Sequence, residues 1–298
     1  MLSILIPTFN HNITRLVADL YHQASGTSID FEIIVMEDGS TLHTDENKVV
    51  DELEFCRHIV LKENIGRSAV RNKLAEEANQ DYLLFMDCDA EVCSTDYISR
   101  YLPLCKEECV VIGGTAYDPK ENDLRYSLRL AYGRQREART ATQRNAQGTY
   151  HNFATFNFLI SKALFLQVGF DESIRGYGHE DTLFGHQLHE LGCQFIQLEN
   201  PLIHKGLDDN TTFLRKTEEG AMNLFLLYKT GRYPFLVDES RLLSTFTRVY
   251  KTGLTRLLAT LFVVCKPYLQ YKLSEPSPSL RLYDLYKLLL LCEASRTK

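Results

Sequence analysis

Apolar runs of strand length alternate with amphipathic stretches of helix length through the first half of the chain, and no other feature narrows the fold as much. Residues 2–6, 31–36, 58–61, 82–86 and 110–113 read as strands, and residues 13–23, 45–55, 66–79 and 95–102 as helices. This alternation predicts an α/β fold whose mostly parallel central sheet is joined by right-handed crossovers and flanked by helices. The run Asp-Tyr-Leu-Leu-Phe-Met at 81–86 is apolar or aromatic at five of six positions, which suits a central strand buried on both faces. In an open sheet of this class the carboxyl ends of the strands border the crevice where ligands bind.

Polar residues stand at those ends. After residues 82–86 comes Asp87-Cys88-Asp89, either a site for a hard cation and the phosphates it neutralises or a turn capping the next helix. Pro7-Thr8-Phe9-Asn10 closes the first strand and Glu37-Asp38-Gly39-Ser40 the second. Asp38 is placed to accept hydrogen bonds from a base or ribose, although Asp-Gly is also a common turn. In Asn64-Ile-Gly66-Arg67-Ser-Ala-Val-Arg71, Gly66 opens a helix and the two arginines share one face, suiting a diphosphate or an ordinary solvated surface. Further on, residues 156–160 read as a strand, and the glycine-loosened stretch 176–181 leads into a helix over 182–191. Glu180 and Asp181 fall where a helix dipole favours negative charge, as caps or as catalytic groups. His204 ends another apolar run, a metal ligand or a structural residue.

With 298 residues, 44% hydrophobic and 24% charged, the composition is that of a folded globular chain holding one large domain or a domain plus a tail. The 8 cysteines form no Cys-x-x-Cys pair and no zinc-spaced cluster, so reduced thiols and a cytoplasmic setting are expected. Met1-Leu-Ser-Ile-Leu-Ile6 runs directly into Pro7 and reads as a first strand, not a signal peptide. Charge is uneven: residues 241–298 carry ten Lys/Arg against three Asp/Glu, leaving −13 of the total −6 for residues 1–240. The apolar runs of this tail fall short of the roughly 20 residues that span a bilayer. The tail is then an amphipathic element at the inner membrane face, or a helical region packed on its own domain or on a second subunit as a homo-oligomer. From residue 213 the spacing turns helical, and the division expected is 1–231 for the catalytic domain and 232–298 for a basic helical extension. Residues 117–150, rich in arginine, read as a lid whose cations meet an anionic ligand, or as a solvated charged helix.

Taken in order, Ile6-Pro-Thr-Phe-Asn10, Glu37-Asp-Gly-Ser40, Asn64-x-Gly66-x-x-x-x-Arg71-Asn72, Asp87-x-Asp89 and Gly176-Tyr-Gly-x-Glu180-Asp181 resemble a family 2 glycosyltransferase of the GT-A fold over residues 1–210. The Gly176 to Asp181 stretch also resembles the loop of chondroitin-polymerase-like enzymes and of galactosyltransferase C-terminal domains. The resemblance implies a nucleotide-diphosphate donor, most simply a UDP-sugar, and a saccharide or lipid-linked acceptor. It implies that Asp38 binds the uracil or ribose, that Thr8 lines the base pocket with Pro7 and Asn64 nearby, and that Arg71 approaches the diphosphate. Asp87 would contact the ribose and metal region, and Asp89 with His204 would hold Mn2+ or Mg2+. Asp181 matches the family's base, with Glu180 positioning acceptor or donor sugar. Tyr177 stands where related loops often carry tryptophan, which this chain lacks altogether. One base and one displacement give inversion. No nucleic-acid partner is expected. A different class of reading, a nucleotide-sugar-binding or membrane scaffold protein without catalysis, leaves a general base without use.

Overall fold

The computed structural model describes residues 1–146, 148, 150, 153–174 and 176–296. Its strands, in chain order, are β1 (Leu2–Thr8), β2 (Phe31–Glu37), β3 (Cys56–Val60), β4 (Tyr82–Met86), β5 (Ala90–Glu91), β6 (Cys109–Ile112), β7 (Thr115–Ala116), β8 (Asn157–Ser161), β9 (Gln194–Gln197) and β10 (Leu202–His204). They form a 7-stranded sheet ordered β3-β2-β1-β4-β8-β6-β9 and a 3-stranded sheet ordered β5-β10-β7. Neighbours in the large sheet run parallel except β8, which is antiparallel to both β4 and β6. The α/β class and mostly parallel sheet expected from the alternation are therefore what the chain forms.

Two compact units divide it. The first comprises Met1–Asp118, Glu137–Arg175 and Glu180–Gly206 and holds both sheets. Its strands are buried on two faces because successive side chains point opposite ways. Ile4, Ile33, Val35 and Leu84 pack on one side with Leu16, Val17 and Leu20 of the helix Thr14–Ser25. Leu5, Ile34, Met36 and Phe85 pack on the other with Val70 and Leu74 of the helix Arg67–Glu77. Each fully buried aliphatic side chain contributes about 1.5–3 kcal/mol, and this two-sided burial fixes the register on which the strand ends depend. The expected helix over 45–55 divides into a short α-helix, Thr44–Asn47, and a 3-10 turn, Lys48–Glu52.

One buried acid underlies the loops after β1 and β2. Glu37, at 0% exposure, accepts hydrogen bonds from Asn47 Nδ2 at 2.7 Å, His58 Nε2 at 3.2 Å and the Ser40 hydroxyl. Asn47 also donates to the His11 carbonyl at 2.8 Å and accepts from the Ile13 amide at 3.0 Å. Burial works against the Glu37 charge, but the His58, Ser40 and Asn47 donors outweigh it and hold the carboxyl below its ordinary value of 4.5. That stabilisation is present above the unfolded value and is lost as pH falls through the folded one. Replacing Glu37 by Ala strands these donors and costs about 3–5 kcal/mol, measurable by urea unfolding at neutral pH. In Glu37→Gln the acid limb of stability is correspondingly flatter.

The second unit, Pro119–Arg136, Gly176–His179 and Leu207–Lys298, is helical. Its long helix Asn210–Thr230 starts at Asp209, whose carboxylate accepts from the Thr212 amide at 2.8 Å, and stops at Gly231 in a left-handed conformation. Asn210 binds the Leu128 amide and the Leu124 carbonyl, both at 3.0 Å, and so fastens the helix Ser127–Tyr132. Phe213 stacks on Tyr283, and Phe262 meets Tyr286 edge-on at 5.4 Å, joining the helices Thr255–Leu273 and Leu280–Ala294 to the rest of the unit. Glu218 gathers Lys266 Nζ at 2.8 Å, Gln270 Nε2 at 3.1 Å and the Tyr286 hydroxyl. The expected helical C-terminal region is thus present.

Candidate active site

Parallel β1, β2 and β4 bring Thr8, Asp38 and Asp87 to the same carboxyl edge of the large sheet. Thr8 is buried, its hydroxyl bonding the Ile6 carbonyl at 3.3 Å, while its own carbonyl receives the Asp38 amide at 2.8 Å. Pro7 lies beside Met36 in the same register.

The turn after β2 closes directly on the next crossover. Gly39 has φ +69°, and a Cβ there would lie 2.4 Å from the Asn64 nitrogen, so the turn requires glycine. The Asp38 carboxylate accepts from the Ile65 amide at 2.7 Å and the Gly66 amide at 3.1 Å, and Asn64 Nδ2 returns a bond to the Asp38 carbonyl at 3.0 Å. Asp38 and Asn64, both expected to touch a nucleotide, thereby fix where the helix Arg67–Glu77 begins. From that helix Arg71, 4% exposed, donates to Asp87 Oδ1 at 2.6 Å and to the Arg67 carbonyl at 3.3 Å. Its Nε is buried without a hydrogen-bond partner.

The small sheet places His204. Antiparallel pairing of β10 with β5 sets His204 opposite Ala90, and the Lys205 amide donates to the Asp89 carbonyl at 2.8 Å. His204 Nε2 then lies 3.2 Å from Asp89 Oδ2, its ring held edge-on by Phe156 and Tyr117. Asp89 Oδ1 is buried and has no hydrogen-bond partner. Burial raises the Asp89 carboxyl, but His204, by hydrogen bond and charge, and then His11 bring it below its ordinary range. Gly206 completes the cradle: a Cβ there would stand 2.1 Å from Asp89 Oδ2. Gly206→Ala should push this carboxylate away from His204 and lower the melting temperature, measurable by scanning calorimetry, because the added Cβ would also stand 2.6 Å from the Asp89 Cβ.

Glu180 and Asp181 open the helix Glu180–Glu190. Glu180 Oε1 lies 3.9 Å from the Arg67 guanidinium, and its Oε2 is buried without a partner. Asp181 Oδ1 accepts from the Thr182 amide at 2.7 Å. Burial, followed by the neighbouring Glu180 charge, pushes Asp181 up to about 6. The residues Gly176–His179 belong to the helical unit, where Asn223 Nδ2 bonds the Tyr177 carbonyl at 3.1 Å and His179 Nε2 meets the Gly220 carbonyl at 3.0 Å.

Unsatisfied buried polar atoms are costly, at about 1–3 kcal/mol each. Three of them, Arg71 Nε, Asp89 Oδ1 and Glu180 Oε2, belong to the residues singled out from the sequence. Among the described residues no group of three or more His, Cys, Asp or Glu is arranged to hold a metal ion. The Asp89 and His204 pair, with the carboxylate oxygen Oδ1 left without a partner, fits a hard divalent ion that takes its other oxygens from a ligand. Arg144, expected among the anion-binding arginines, lies elsewhere: it is buried and donates to Gln197 Oε1 and the Leu198 carbonyl, both at 2.7 Å. Residues 147 and 149 of that segment lie outside the described residues. The Glu37 network was missed by sequence reasoning, although an acid ending the apolar run 31–36 was a signal for it.

The family model described as Glycosyl transferase family 2 matches residues 3–169. Chondroitin synthase of Pasteurella multocida (strain Pm70) is 28% identical over 240 residues, which cover 68% of this chain and 24% of that protein. Chondroitin synthase of Escherichia coli is 26% identical over 246 residues, covering 68% of this chain and 34% of that protein. The chain therefore spans 24% and 34% of the lengths of these curated relatives. Among solved structures, the mannosyltransferase PcManGT from Pyrobaculum calidifontis in complex with GDP-Man and Mn2+ superposes with a TM-score of 0.56 at 15% identity, covering 99% of this chain and 86% of that one. At that identity the likeness speaks for the fold.

Proposed function

Because the chain belongs to glycosyl transferase family 2 and has the GT-A fold, we propose that it moves a sugar from a nucleoside diphosphate to an acceptor hydroxyl by a single, inverting, metal-assisted displacement. The observation that carries this reading is the coincidence of orphaned buried atoms on Arg71, Asp89 and Glu180 with the residues the motifs select. A folded chain keeps such groups where a ligand completes them.

Asp89 and His204 would hold Mn2+ or Mg2+, and Asp87, fixed by Arg71, would face the ribose side of the donor. A bound ion of this kind supplies charge neutralisation for the departing diphosphate. Arg71 adds a fixed cation that is already oriented. Asp38 and Asn64 shape the base pocket through the loop they tie down, beside Pro7 and Thr8. Asp181 takes the acceptor proton as the hydroxyl attacks the anomeric carbon, and Glu180 positions the sugars while raising Asp181's proton affinity. UDP is the nucleotide proposed. GDP is the second reading, favoured by the ligand of the PcManGT complex. The acceptor proposed is a saccharide, as the chondroitin synthase relatives favour, free or lipid-linked.

Transfer is tested by following nucleoside diphosphate release from UDP- and GDP-sugars with saccharide acceptors, with and without Mn2+. Asp181 must be ionised to act, so kcat/KM is expected to fall about tenfold per pH unit below about 6. Glu180→Gln removes the like charge beside it and should move that limb to lower pH. A profile flat down to pH 4 would remove Asp181 from the mechanism.

A further inference from the structure

The helix Thr255–Leu273 buries Thr255, Ala259, Phe262, Leu269 and Leu273 within its own unit. Its opposite side carries Leu257, Leu261, Val264, Tyr268 and Tyr271 at alternating spacings of four and three, and all are exposed, Val264 by 80%. Single exposed apolar residues are ordinary, but a continuous stripe of them along one helix marks an interaction surface. Among the described residues no helix is long and apolar enough to cross a membrane, so this stripe is a lateral face rather than a span.

Charge identifies the occupant. Residues 241–273 contain six Lys/Arg and no Asp or Glu. Lys266 is paired with Glu218 at 2.8 Å and Lys272 with Glu275 at 2.7 Å. Arg241, Arg248, Lys251 and Arg256 are exposed, and no carboxylate among the described residues pairs with them. Arg256 stands in the first turn of the stripe-bearing helix and Arg241, Arg248 and Lys251 on the helix Arg241–Lys251 just before it, so two copies meeting through this segment would bring cations together with no acid in residues 241–273 to relieve them. A surface that is apolar below and negatively charged above matches both features at once. We propose that this segment docks on an anionic lipid bilayer, with the leucines, Val264 and the tyrosines of the stripe entering the headgroup boundary and the four cations of the segment meeting lipid phosphates. The proposal does not depend on the reaction assigned to the sheet-bearing unit.

Co-sedimentation of the full chain with phosphatidylcholine vesicles, with and without phosphatidylglycerol, tests it in the absence of any nucleotide. Retention by the anionic vesicles alone, lost at high salt, is expected. Combined Arg241→Gln, Arg248→Gln, Lys251→Gln and Arg256→Gln should weaken retention by about a hundredfold or more, since each basic residue near such a surface strengthens binding about fivefold. Combined Leu257→Ser, Leu261→Ser and Val264→Ser should weaken it comparably, and because every altered position is exposed, circular dichroism and melting should match wild type. Equal retention of wild type and both variants, or no retention of wild type, would overturn the proposal. A concentration-dependent dimer that the serine variant abolishes, without vesicle binding, would assign the face to a second copy instead.

Discussion

Asp181→Asn is expected to reduce transfer by about 10²–10⁴-fold while leaving nucleotide binding unchanged, the loss a positioned general base accounts for. The substitution keeps the size of the side chain, and the amide oxygen can still accept from the Thr182 amide that Asp181 Oδ1 now engages at 2.7 Å. It removes only the capacity to take a proton. Aspartate is an unusual choice at neutral pH because its ordinary value of 3.8 makes it a weak base. Burial and the adjacent Glu180 correct this by raising Asp181 to about 6, nearer the working range yet still mostly ionised at pH 7. Steady-state kinetics together with calorimetry on the same preparation separates the two effects. Loss of binding along with turnover, in a folded variant, would place Asp181 in the donor site and not at the acceptor hydroxyl.

Asp89→Ala should have the second large effect, on a different quantity. Diphosphate affinity in the presence of Mn2+ is expected to fall at least about a hundredfold, toward the affinity that wild type shows without metal. The physical reason is the environment of one atom. Asp89 Oδ1 is buried with no partner inside the protein, whereas Oδ2 is engaged by His204 and occupies space that any side chain at Gly206 would fill. An ionised carboxylate kept half-satisfied costs stability, which a bound cation returns. Thermal melting with and without Mn2+ provides a second readout: wild type should be stabilised by the ion and Asp89→Ala should not. Stabilisation of both to the same degree would move the metal elsewhere.

How far these features were legible in the sequence depends on the length of the element that carries them. β1, β2 and β4 could be read because strands buried on both faces leave largely apolar runs, broken near their starts by Ser3 in β1 and Glu32 in β2, and Asp38, Asp87 and Asp89 followed as the polar groups that end them. The direction of β8 could not, since Asn157–Ser161 has the same apolar character whichever way it runs. β5, β7 and β10 are two or three residues long, too short for any period, yet their pairing alone brings His204 to Asp89. His204 was therefore visible as a candidate from its place at the end of an apolar run, whereas its pairing with Asp89 came from the family resemblance alone and from no period in the residues. Asp38 shows the same limit from the other side: its partners are the backbone amides of Ile65 and Gly66, and backbone groups leave no mark in a sequence. Arg144 misled because an arginine in a polar segment reads as a surface cation, while here the segment folds so that its guanidinium caps carbonyl groups at the end of β9.

The most direct test is calorimetric titration of the full chain with UDP, GDP, CDP and TDP, each with and without Mn2+. Tight binding of one diphosphate, UDP foremost, that requires the ion and disappears in Asp89→Ala is the result predicted. Binding of none of the four, or binding indifferent to both Mn2+ and Asp89, would contradict a metal-dependent donor site at the carboxyl edge of this sheet.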